Sequence, residues 1–147
     1  MVTNVLISGS IAGIIAIIFG TLIDYYLYRT GSMDNNISVY VSAILLQKDF
    51  IGDKTSKYIG LIGHLIMSIL FGIIISLTLY FTGYSYSYFK GILIGGIFWL
   101  ILHQALTDKF WVPKEYNISS KGVLWQWQFI IHLIEGFIIV FFLKLLF

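Results

Sequence analysis

The chain alternates long apolar runs with two polar connections and one short turn. About 20 apolar residues cross the hydrocarbon of a bilayer. Four segments reach or approach that length: about Val5–Tyr28, Tyr58–Phe81, Phe89–Leu106 and Val123–Leu145. Within each, small or polar residues recur at every fourth position. The first carries Ser8, Ala12, Ala16, Gly20 and Asp24, with Gly9 and Gly13 beside that row. The second carries Gly60, His64, Ser68, Gly72 and Ser76, and the third Gly91, Gly95, Trp99, His103 and Thr107. The fourth carries Gln128, His132 and Gly136, with Glu135 one turn from His132. Residues four apart form one inclined row on a helix surface. Rows of small side chains are where membrane helices approach each other. Gly9, Gly13, Gly20, Gly60, Ser68, Gly72, Gly91, Gly95 and Gly136 are therefore the expected packing positions.

The connections set the topology. The turn Thr82–Tyr88 is short and rich in Gly, Ser and Tyr, which predicts that spans two and three are antiparallel neighbours. Arg29–Lys57 and Asp108–Gly122 are the long connections. The first holds Ile37–Gln47, which is apolar but too short to span. Its plain reading is a hydrophobic surface helix packed on the end of the bundle. The alternatives are an amphipathic helix lying on the membrane and a re-entrant lid. The predicted fold is all-α: one transmembrane domain over 1–147, built as an up-down-up-down four-helix bundle. His64-Leu65-Ile66 recurs as His132-Leu133-Ile134, and Gly9 and Gly13 are echoed by Gly91 and Gly95. That pattern suggests a tandem repeat of two helical hairpins.

Composition agrees with lipid as the solvent. The 147 residues are 59% hydrophobic and 11% charged, against about 45–50% and about 25% in ordinary soluble domains. Cysteine is absent, which excludes a disulfide framework and thiolate metal sites. The net charge of +2 is scattered and offers no patch for nucleic acid. Seven of the nine Lys and Arg residues lie on the two long connections, Lys90 and Lys144 being the exceptions. The positive-inside rule then places the long loops in the cytoplasm and both termini outside, at the cell membrane. No basic residue precedes the first span, so the n-region of a signal peptide is missing and the span is expected to be retained. Tyr25, Tyr26 and Tyr28 read as interfacial anchors.

The candidate chemistry rests on depth. Asp24 is near the long-loop end of span one, and His103 and Gln104 are near that end of span three. His64 lies shortly after the start of span two, and His132 and Glu135 lie further into span four. At 1.5 Å per residue the ionisable groups sit roughly 5–18 Å below one face. All three histidines and both membrane acids thus share one half of the bilayer. Ionisable groups at that depth are costly and by default face the bundle interior. They predict a polar pocket open toward the long loops, lined by Asp24, His64, His103, Gln104, Gln128, His132 and Glu135. His132 is the expected local partner of Glu135.

Three chemistries suit such a pocket, and the residues leave all three open. One is a proton, cation or small-solute site, as in a transporter. Another is a metal site with His64, His103, His132 and Glu135 as candidate ligands. A third is b-type haem between His64 and His132. A structural or partner-binding membrane subunit is the reading without pocket chemistry. No phosphate loop, GxSxG or cysteine nucleophile is present, so no catalytic residue is assigned. The expected partners are the lipid bilayer and a second copy of the chain or another membrane protein, because four spans make a thin bundle.

The Gly-rich first span, Gly63–Gly72 (GHLI…FG), Lys90–Trp99 (KGxxxGxxxW) and His132–Gly136 (HLxxG) resemble small four-span bacterial membrane proteins of uncharacterised function. The resemblance covers most of the chain. It implies a multi-pass membrane protein and brings no activity, cofactor or site residue.

Overall fold

Five helices form where the apolar runs lie: α1 (Val2–Arg29), α2 (Ile37–Leu45), α3 (Lys54–Phe81), α4 (Tyr88–Lys109) and α5 (Gly122–Leu146). The computed structural model describes residues 2–32, 37–46, 54–83, 87–109 and 122–146. Within them, the side chains at 2, 40, 43, 44, 102–109 and 122–125 are not described. No strand occurs among the described residues. α1, α3 and α5 are each long and apolar enough to cross a membrane, and α4 contains a shorter apolar stretch, Tyr88–Ile101. Leu22, Ile66, Phe89 and Leu100 are exposed, while Asp24, His64, Gln128 and Glu135 are buried. That inversion, apolar outside and polar inside, is the arrangement lipid imposes. The chain is an all-α bundle of a membrane protein.

The helix ends are local chemistry. Gly31 follows α1 with φ +74°. Its N–H donates to the Tyr28 carbonyl, and the Ser32 N–H donates to that of Leu27. This is the Schellman arrangement, which closes a helix with one left-handed residue and favours glycine there. Gly83 follows α3 with φ +83°, and its N–H donates to the Tyr80 carbonyl.

Small residues decide which helices pair. The close pairs are α1 with α3, α4 with α5, α2 with α3 and α1 with α5. α3 meets α4 at few points, although only a short turn joins them. The two spans are neighbours across the short turn, yet they pack less closely than the other pairs. A turn fixes proximity at one end of a pair, but close approach along it requires facing rows without Cβ atoms. Gly9 lies against Gly72 and Ser76, and Gly13 against Ser68. A Cβ on Gly9 would stand 2.9 Å from the Gly72 carbonyl oxygen. On the other side Gly91 lies against Gly136, and Gly95 against the His132 carbonyl. Both pairs advance in opposite senses, so the helices run antiparallel. α3 and α4 are linked by the stacked rings of Phe71 and Phe98, 4.5 Å apart.

α1 uses a second row against α5. Ala12 and Ala16 form a buried cluster with Phe71, Ile75 and Leu79 of α3 and Ile139, Val140 and Leu143 of α5. Small side chains on the shared helix let large ones from both neighbours fill the interior. The buried Ser76 hydroxyl adds a hydrogen bond to the Val5 carbonyl, 2.9 Å long.

α2 is a packed helix, as the plain reading of Ile37–Gln47 expects. It lies along α3: Gly60 meets Ser38 and Ser42, and Gly63 meets Val41 and Leu45. The two contact sets advance together, so α2 runs beside the start of α3 in the same direction.

Candidate functional site

The polar seam is built from α1 and α5. Asp24 stands where the α1 row turns to α5 and is 2% exposed. Its Oδ1 accepts a hydrogen bond from Gln128 Nε2 at 2.9 Å. Its Oδ2 accepts one from the Ile37 N–H at 2.8 Å. Ile37 is the first residue of α2, so Asp24 caps that helix from thirteen residues away. A carboxylate there satisfies an orphan N–H and faces the positive end of the helix dipole.

Glu135 lies two turns along α5 from Gln128 and is also 2% exposed. Its carboxyl turns toward α1, where Gly20 leaves the space of a missing Cβ. The Oε1 atom is buried and has no hydrogen-bond partner among the described residues. Asp24 lies close enough for the two acids to repel each other. The expected pair of Glu135 with His132 does not form. His132 Nδ1 donates instead to the Gln128 carbonyl one turn back, at 2.8 Å. Because a carbonyl only accepts, that bond places a proton on Nδ1.

The histidines form the second part of the site. His64 is buried on α3, and its Nδ1 has no partner among the described residues. It lies within Coulomb range of His132. The rings of Phe71 and Phe98 stand beside His132, each with its centroid 6.4 Å from that of the imidazole.

Of the seven residues, Asp24 bonds to Gln128, Glu135 lies near Asp24, and His64 lies near His132. His103 and Gln104 lie on α4 outside the described side chains. α2 is seated over Asp24. An open cleft of about 180 Å³ reaches Asp24 from the side of the first long connection. Thr21, Asp24, Tyr25, Ile37, Ser38, Lys57, Tyr58 and Leu61 line it. Thr21, Ser38, Lys57 and Tyr58 were not singled out by sequence reasoning. The signal available for them was Lys57-Tyr58 in the first turn of a span, opposite the tyrosines that end the preceding one.

The donor set bears on the metal and haem readings. Among the described residues no group of three or more His or acidic side chains converges on a point that could hold a metal ion. Two aromatic rings stand beside His132. Neither observation favours a metal or haem site. Comparison with protein-family models, with characterised proteins and with solved structures finds no match for this chain.

Proposed function

We propose that this integral membrane protein binds and passes a proton at the carboxyl pair Asp24 and Glu135. The observation that carries the reading is the Oε1 atom of Glu135, buried in a membrane helix and without a hydrogen-bond partner among the described residues. An isolated carboxylate in such a site is prohibitively costly. Gly20 is packed so closely on the oxygen that a Cβ would not fit between them. A proton needs no such space, whereas a hydrated metal ion does. Asp24, near the long-loop face, and Glu135, deeper, form two stations, with Gln128 bonded to the first. His132 and His64 stand on the same half of the bundle, and a neutral imidazole can relay a proton. By the charge asymmetry of the loops, the Asp24 face is cytoplasmic, and the exposed apolar faces support self-association.

The test is proton flux in liposomes carrying the purified chain, under an imposed potential. Wild type is expected to dissipate a pH gradient, and Glu135→Gln to abolish the flux while keeping the fold. Equal flux in both, or none in wild type, would leave a structural or partner-binding subunit as the better reading.

A further inference from the structure

The cleft outside Asp24 has a charge order of its own. Asp24 is a buried lining residue and the one that carries a carboxylate. That group accepts two hydrogen bonds, while a carboxylate has lone pairs for about four. Thr21 and Ser38 line the same cleft. Lys57 stands at its rim, exposed on the first turn of α3. A second cation is near: the Arg29 guanidinium lies 6.0 Å from the Tyr25 ring centre, and Tyr25 is a cleft wall. Tyr25 and Tyr58 are 54% and 62% exposed. Exposed tyrosines at helix ends, beside basic residues, mark the headgroup level of a bilayer. The cleft therefore presents an acid inside and bases outside, between two aromatic walls, at the depth of lipid headgroups. Its volume of about 180 Å³ far exceeds the ~10–15 Å³ that one water requires.

We infer that this cleft binds a zwitterion with a primary ammonium and an anionic group joined by a short alkyl link, the ammonium on Asp24 and the anion toward Lys57 and Arg29. A phosphoethanolamine lipid headgroup has that chemistry, and so does a free aminoalkyl phosphate. A primary ammonium donates to the open lone pairs of Asp24, which a quaternary ammonium cannot. The aromatic walls suit either cation, so discrimination between the two falls to Asp24. The inference shares Asp24 with the proton reading but does not depend on flux: its readout is lipid or solute binding, so either reading can fail alone.

The test uses the full chain in nanodiscs of equal phosphatidylethanolamine, phosphatidylcholine and phosphatidylglycerol, with bound lipid counted by native mass spectrometry. Phosphatidylethanolamine is expected to be retained about tenfold over phosphatidylcholine, the scale of one charge-assisted contact. Lys57→Gln, an exposed change that leaves the packing intact, is expected to weaken retention of both lipids and to leave their ratio unchanged, because both carry the phosphate that Lys57 faces. Asp24→Asn is the second variant and is expected to make the two lipids equal. A parallel arm titrates free phosphoethanolamine against the detergent-solubilised protein by thermal shift. Stabilisation there, without lipid preference, would assign the site to a free solute. Equal retention of all three lipids in wild type together with no shift from the free compound would overturn the inference. So would phosphatidylglycerol bound as well as phosphatidylethanolamine and unaffected by Asp24→Asn.

Discussion

Gly20 and Glu135 share one space: the position where any other residue of α1 would carry a Cβ is occupied by the Oε1 atom of Glu135. A glycine on the packing row is thus also what admits the deepest acid of the seam. Gly20→Ala would put its Cβ on that oxygen and 3.0 Å from Cδ. The obstacle is the end of a flexible side chain, so the carboxyl is expected to swing away and the fold to survive. The cost is about 1–2 kcal/mol, as for modest overpacking. Glu135→Ala in the same chain removes the obstacle, so the double variant should be more stable than the sum of the single effects. Reversible unfolding in mixed micelles measures the cycle, and strict additivity would show that the two residues do not meet.

Glycines facing backbone should behave differently from glycines facing side chains. A Cβ on Gly72 would stand 2.8 Å from both the Cα and the N of Gly13, and neither can move without separating α1 from α3. Gly72→Ala is expected to cost about 2–3 kcal/mol, the upper range for overpacking. The nearest atoms to a Cβ on Gly96 are side-chain atoms of Leu133 and Phe129, at 3.3 Å and beyond. Gly96→Ala should fall within about 0.5 kcal/mol of wild type. The same unfolding assay ranks the two, and a reversed order would contradict the helix pairing.

How far the sequence reveals this arrangement depends on the kind of signal. The helices are legible because apolar length and fourfold spacing are local properties. Which rows meet is not, since that is a matter of register between distant segments. The repeated His-Leu-Ile illustrates the gap. His64 lies two turns before Gly72, whereas His132 lies one turn before Gly136. Gly72 and Gly136 are the residues that cross Gly9 and Gly91, so the packing register matches His132 with Ser68, not with His64. The depth of Asp24, His64, Gln128, His132 and Glu135 is also legible, because residue count along a helix measures depth. Their partners are not: the Asp24 cap on α2 joins residues whose intervening loop has no periodicity to read.

Hydroxyls inside the bundle should contribute little. Ser76 donates to the Val5 carbonyl from a buried position, yet interhelical hydrogen bonds in membrane proteins average about 0.6 kcal/mol. Ser76→Ala is expected to lose about that amount and to leave proton flux unchanged. A loss several times larger would mean that the bond fixes the α1–α3 register, a task assigned here to Gly9, Gly13 and Gly72.

The Asp24 cap on α2 predicts a split between two substitutions. Asp24→Ala removes the acceptor for the Ile37 N–H and for Gln128 Nε2 together. Loss of an N-cap of this kind costs about 1–2 kcal/mol, and the stranded Gln128 amide adds a further unpaired group. α2 makes its remaining contacts with α3, so the loss should appear as local opening of α2 rather than unfolding of the bundle. Asp24→Asn keeps one acceptor oxygen and can still serve Ile37. Amide exchange across Ile37–Leu45 is the measurement. It should quicken about tenfold in Asp24→Ala, the rate equivalent of ~1.4 kcal/mol, and much less in Asp24→Asn, with α1 and α5 unchanged in both. Uniform acceleration across all helices would mean that Asp24 holds the whole bundle together, and equal acceleration in the two variants would mean that its charge, not its hydrogen bond to Ile37, seats α2.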